Sequence, residues 1–213
     1  MKMIWVKEKH MGFFSTDNKA MQLLDTFFGY LQLLLFTLVF SIPIVTIGPA
    51  MTAKHYTAMK IARKESPNVM QSFLKSFKEN LKQGILLELI LLTAAAVLAA
   101  DWYIVWHLDL GLLSYVLLSV IVVVTLMAAI IGEYSFALLA RFNAGTLHVL
   151  KCALMIGTGK FGVSLLLVLC NIAVICACFI WYLYAVFIWL IAGALVLSIK
   201  SPLLVMVFSK FEE

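Results

Sequence analysis

Residues 161–208 read FGVSLLLVLCNIAVICACFIWYLYAVFIWLIAGALVLSIKSPLLVMVF, and Lys200 is the only Asp, Glu, Lys or Arg among them. About 30 Å of hydrocarbon is crossed by a helix of about 20 apolar residues. This run is therefore too long for one crossing, and it is read as a hairpin turning near Trp181–Tyr184. It supplies spans at about 161–181 and 185–208. The same reading moves outward to three more apolar runs, at about 23–44, 84–106 and 112–134. The composition agrees: 64% of the chain is hydrophobic, 13% is charged, and the mean hydropathy is +1.05. A soluble domain carries roughly 25% charged residues. A soluble enzyme, a disordered tail and a free nucleic-acid binder are excluded. The expected fold class is all-α, a polytopic membrane helix bundle forming one integral membrane domain over residues 1–213. Membrane lipid is its expected surroundings.

Orientation follows from the cations in the short loops. The segment between the first two spans carries Lys54, Lys60, Arg63, Lys64, Lys75, Lys78 and Lys82. Arg141, Lys151 and Lys160 lie between the third and fourth spans, and Lys200 and Lys210 lie near the C-terminus. The loops at 107–111 and 181–184 carry none. The 45–83 and 135–160 segments and the C-terminus are thus expected in the cytoplasm. Trp102, Tyr103, Trp106, Trp181, Tyr182, Tyr184 and Trp189 gather at the opposite ends, where an outer aromatic belt belongs. Lipid anchoring is preferred there to sugar stacking. No secretory signal is read in the N-terminal segment; the first span is expected to target the chain uncleaved.

Five plain spans would leave Lys2, Lys7, Lys9 and Lys19 outside. The stretch Ser41–Ala53, SIPIVTIGPAMTA, offers another path. Pro43 and Gly48-Pro49 interrupt a continuous helix. The chain is expected to turn near Pro43 and return as a short re-entrant helix from about Pro49, which places all sixteen cations inside. Lys54 and His55 then require polar surroundings. Broken helices also line substrate paths in transporters; a structural corner is preferred here.

Ser66-Pro67 reads as a cap and first turn. Val69, Met70, Phe73, Leu74, Phe77 and Leu81 follow on one face, with Lys75, Lys78, Glu79 and Lys82 largely opposite. An amphipathic surface helix is expected at about 67–83, either a lipid-interface elbow or a docking helix presenting Met70, Phe73 and Phe77. Lys160-Phe161-Gly162 echoes Lys82-Gln83-Gly84 at the entry to a span. Such residues are common at an interface, so coincidence is preferred to the alternative, an internal duplication.

Ionisable groups inside spans call for a physical reason. Glu88, Glu133 and Lys200 lie near the inner ends of their spans, with Asp25 at a similar depth. The expectation is a packing cluster of Glu88 and Glu133 with Lys200 or Arg141; the sharper alternative is a proton relay. No phosphate-binding loop, H-E-x-x-H or G-x-S-x-G occurs. His10, His55, His107 and His148 have no metal-ligand spacing, and Asp25, Asp101 and Asp109 provide no facing pair. Cys152, Cys170, Cys176 and Cys178 read as apolar helix filler. No catalytic residue, cofactor or metal is expected, and no nucleic-acid partner.

Residues 27–82 carry a more specific pattern: Pro43, Thr46, Gly48, Pro49 and Ala50, then Tyr56, Arg63 and Glu65, then Phe73, Phe77 and Asn80. This resembles the YesL family, small bacterial integral membrane proteins defined by a domain of unknown function. The resemblance implies no catalytic residues. It implies an accessory subunit beside a carbohydrate ABC importer, because family members often occur with such importers. The chain has no coupling loop of the E-A-A type and is not expected to be the permease. The expected function is a non-enzymatic accessory or scaffolding protein docking on importer permease subunits through the 67–83 helix and the Ile47–Lys64 segment. The alternative is a small independent transporter or channel, with a path through Glu88, Glu133 and Lys200 lined by Asn171.

Overall fold

The structure is a computed structural model and describes residues 19–65, 68–107, 111–142 and 145–209. Among these residues there are eight α-helices and no strand: α1 (Lys19–Phe40), α2 (Ile47–Ala62), α3 (Val69–Glu79), α4 (Leu81–His107), α5 (Leu112–Arg141), α6 (Thr146–Gly159), α7 (Phe161–Ile180) and α8 (Ala185–Ser209). Five of them, α1, α4, α5, α7 and α8, are long and apolar enough to cross a membrane. This is the architecture of a multi-pass membrane protein. The expected Ser66-Pro67 cap, the lysines Lys2, Lys7, Lys9 and Lys210, and His10 and Asp109 lie outside the described residues.

The break after α1 has a local cause. Pro43 offers no N–H and holds Ile42 out of helical geometry. Thr46 ties the corner, its Oγ1 donating to the Phe40 carbonyl at 2.7 Å and to the Pro43 carbonyl at 2.8 Å. One 3-10 turn over Ile44–Thr46 leads into α2. Pro49 falls in the first turn of α2, where its missing N–H would have had no partner within the helix. Gly48-Pro49 therefore starts a helix here.

At 16 residues, α2 is about 24 Å long and too short to cross alone. It lies at the centre of the molecule, touching α1, α3, α4, α5 and α8. Gly48, Ala50, Thr52, Ala53, Thr57 and Ala58 are buried along it. Small side chains let five neighbours approach one helix, where lipid supplies little apolar driving force between spans. Two clusters of buried side chains meet on α2. Ala50, Ala53 and Ala58 join Tyr30, Leu33, Phe73 and Leu197, whereas Met59 joins Leu87, Tyr134, Leu167 and Phe208.

The amphipathic helix differs from expectation in its ends and its role. Asn68 caps α3, its Oδ1 accepting from Gln71 N at 3.1 Å. Asn80 ends the helix, and α4 already begins at Leu81. Phe73 and Phe77 face inward against Phe40, with ring centroids 5.4 and 5.1 Å away. Both are buried, so they are unable to dock a partner; of the three expected docking residues only Met70 is exposed. The Ile47–Lys64 segment is likewise mostly interior.

A repeat links the two halves. Phe73, Ser76 and Phe77 are buried on α3, then Gly84, Leu87 and Glu88 on α4. Ala153, Ile156 and Gly157 occupy the same places on α6, and Ser164, Leu167 and Val168 on α7. The joints match too. Gly84 N donates to the Asn80 carbonyl at 2.7 Å and Ser164 N to the Lys160 carbonyl at 3.0 Å. The register pairs Asn80 with Lys160 and Gly84 with Ser164, two residues away from the echo visible in the sequence.

Burial is confined to one tier. It ends at Glu88 in α4 and Val168 in α7, and it begins at Ile130 in α5 and Ala194 in α8. No described side chain is buried in the remaining lengths of these four spans. Trp102 Nε1 donating to Thr125 Oγ1 at 3.0 Å is a polar tie between α4 and α5 there.

Candidate functional site

Three spans bring one polar group each to a common point. Glu133 comes from α5, Asn171 from the middle of α7 and Lys200 from α8. Lys200 forms an ion pair with Glu133. The Asn171 amide closes the triangle, its Nδ2 donating to Glu133 Oε2 at 2.6 Å and its Oδ1 accepting from Lys200 Nζ at 3.0 Å. Lys200 is only 6% exposed. Burying the two ions is costly and is offset only by close pairing and further hydrogen bonds, which Asn171 completes. Close by, Pro202 stands inside α8 and removes the hydrogen bond that the Ser198 carbonyl would otherwise accept.

Glu88 does not join this triangle. Its Oε2 accepts from the backbone N–H of Gly48 at 2.9 Å, at the start of α2. The first N–H groups of a helix lack partners within it and carry partial positive charge. Thr46, with its hydroxyl engaged in the corner, makes no side-chain cap. A carboxylate from α4 therefore caps a helix that starts inside the bundle. The arrangement requires two glycines. A β-carbon on Gly48 would lie against the Gly84 carbonyl and 2.8 Å from Glu88 Cβ, and one on Gly84 would lie 2.8 Å from Pro49 N. Pro43, Gly48 and Pro49 thus form a corner and a crossing point. Arg141 closes α5 with its guanidinium 5.9 Å from the Phe208 ring centroid. Within the expected cluster, Glu133 and Lys200 thus form an ion pair closed by an amide, and Glu88 forms a helix cap.

Two residues on α2 come within electrostatic reach of the triangle. Lys54 is influenced by both Lys200 and Glu133. His55 is influenced by Lys54 and Lys200. Lys54 Nζ donates to the Met51 sulfur at 2.9 Å. His55 is 5% exposed, and its Nδ1 makes no hydrogen bond. From the sequence, both are only residues that need polar surroundings. Their signal was a Lys-His pair in an otherwise apolar stretch. Two hydroxyl pairs brace the surroundings: Tyr30 with Ser201 at 2.6 Å, and Ser164 donating to Tyr134 at 3.2 Å. Among the described residues no group of three or more His, Cys, Asp or Glu is placed to hold a metal.

The fold and site define a class: an all-helical membrane bundle with a buried ionic centre beside an internal helix. Within this chain, residues 28–102 match a family described as "Protein of unknown function, DUF624". The match covers the corner, α2, α3 and most of α4, about a third of the chain, and coarsely fits a family of the YesL type. No curated protein and no solved structure matches the chain.

Proposed function

We propose that this protein is a non-enzymatic accessory or scaffolding subunit in the bacterial cell membrane, packing against the permease subunits of a carbohydrate ABC importer. Its two termini and the basic α2–α3 and α5–α6 turns face the cytoplasm in this reading. One observation carries the scaffolding role: the confinement of burial to a single tier. Beyond Glu88, Val168, Ala194 and Ile130, long lengths of four apolar helices have no buried side chain, and these faces are available to other membrane helices. The ionic groups Glu88, Glu133 and Lys200 are already engaged inside the chain. The importer is suggested by the family resemblance. The docking surface moves accordingly, from the 67–83 helix to the unburied lengths of α4, α5, α7 and α8. Affinity purification from native membranes tests the proposal. Recovery with a sugar permease or its solute-binding subunit is the expected result; recovery with neither contradicts it.

A second reading, a small independent transporter or channel, draws on a different observation. Lys54, Glu133 and Asn171 are only partly covered, so polar groups within the bundle can be reached. A pH-driven flux in vesicles that Glu88→Gln abolishes would favour this reading over scaffolding.

A further inference from the structure

Phe28, Gln32, Leu35 and Val39 recur along α1 at alternating spacings of four and three, and they line one side of the helix. Tyr30, Leu33, Leu34 and Thr37 are buried on the other side, against the bundle. The first row faces away from it: Phe28 is 60%, Leu35 41% and Val39 55% exposed, and Gln32 is exposed between them. Three of these side chains suit lipid and the fourth does not. Gln32 stands about 12 Å from the nearer end of α1 and about 20 Å from the other, so its side chain reaches neither. The other polar side chains between Thr26 and Phe40 are engaged. Thr26 donates to the Gln22 carbonyl at 2.7 Å, Tyr30 pairs with Ser201 at 2.6 Å, and Thr37 donates to the Leu33 carbonyl at 2.8 Å. Among the described residues the Gln32 amide has no partner.

We propose that α1 is the interface at which a second copy of this chain docks, the two Gln32 amides meeting at the centre of a seam formed by Phe28, Gln32, Leu35 and Val39. An unpaired amide facing hydrocarbon costs free energy that a hydrogen bond recovers, and glutamine side chains bond across helices within membranes. The carboxamide is complementary to itself in charge: its oxygen is partially negative and accepts, and its amino group is partially positive and donates. A twofold axis along the membrane normal sets each residue opposite its own copy, so a second chain meets this need at the same depth. The alternation of four and three is the spacing that keeps two helices in contact along a left-handed crossing. A single amide within an otherwise apolar seam fixes its register. Asp25, the preceding position of the row, carries a like charge to its copy, so the contact starts at Phe28 and is confined to the apolar length. The seam lies on α1, apart from the lengths of α4, α5, α7 and α8 offered to permease subunits. Failure of either reading therefore leaves the other standing.

The full chain is purified and reconstituted alone in lipid vesicles, with Cys152, Cys170, Cys176 and Cys178 replaced. Leu35→Cys, Leu38→Cys and Val39→Cys are each oxidised. Leu38 is also exposed but stands off the row. Disulfide-linked dimers that survive dilution with lipid are expected from positions 35 and 39 and not from 38. Fluorescence transfer between labelled copies is then followed as lipid is added. Gln32→Leu is expected to weaken association roughly three- to thirty-fold, and Gln32→Asn to retain it. Monomer at positions 35 and 39, equal cross-linking at all three positions, or association unchanged in Gln32→Leu overturns the proposal. The cross-links need no change at Gln32, so they decide the matter even where Gln32→Leu does not fold.

Discussion

At the scale of single residues, the Glu133–Lys200 pair places two charges in the interior, which is costly. Removing one member of a buried pair strands the other and destabilises by about 3–5 kcal/mol. Glu133→Ala is expected to have that effect in unfolding measured in detergent. Glu133→Leu combined with Lys200→Met is expected to recover most of the loss, because neither ion then remains to be buried. A double variant as unstable as Glu133→Ala would contradict a structural role for the pair. Gly48 and Gly84 give a sharper steric prediction. Gly84→Leu places side-chain atoms on the Pro49 backbone, and a single sharp size-exclusion peak is expected to be replaced by aggregate. Glu88, Glu133 and Lys200 stood out in the sequence because ionisable residues are rare within apolar runs. Their partners did not stand out. Whether Glu88 meets Lys200 or a backbone N–H depends on which helices abut. That is decided by the Gly48–Gly84 crossing, and hydropathy carries no trace of it. Asn171 was legible as polar, but its position between two ions was not.

At the scale of elements, α2 shows how local chemistry sets a helix's limits. At its end Lys64 adopts φ +59°, and Lys64 N and Glu65 N bond to the Ile61 and Lys60 carbonyls. This is a Schellman cap with lysine where glycine is favoured. Lys64→Gly relieves the left-handed strain and is expected to raise stability by up to about 1 kcal/mol, read as a higher Tm; a lower Tm would contradict the assigned cap. Asn68→Ala removes the cap of α3 and is expected to cost about 1 kcal/mol. The five spans were legible in number, and α7 and α8 within a residue at each end, because length and apolar content are what a bilayer demands; α1 ends four residues before the expected 44 and α5 runs seven beyond the expected 134. The place of α3 was less so. Its amphipathic pattern is the same whether the apolar face meets lipid, a partner or the chain's own core. Phe36 and Phe40 of α1 are what make it the core. The repeat of α3–α4 in α6–α7 was obscured because burial and backbone bonds persist where side chains differ: Phe73 against Ala153, and Glu88 against Val168.

At the scale of the whole molecule, the structure joins a packed tier around α2 to lengths of helix that share no core. A chain that returns through its own centre brings both ends of α2–α3 to the side from which α4 departs, and it leaves the α7–α8 turn at the other. The cation counts in the loops lead to the expectation of the same division. The central claim, a membrane bundle whose basic turns share one side, is tested most directly by labelling in intact spheroplasts. Single cysteines are placed at Arg63 and at Leu183 after Cys152, Cys170, Cys176 and Cys178 have been replaced. An impermeant maleimide is predicted to label position 183 from outside and to reach position 63 only after the membrane is permeabilised. Labelling of position 63 in sealed spheroplasts would contradict the account.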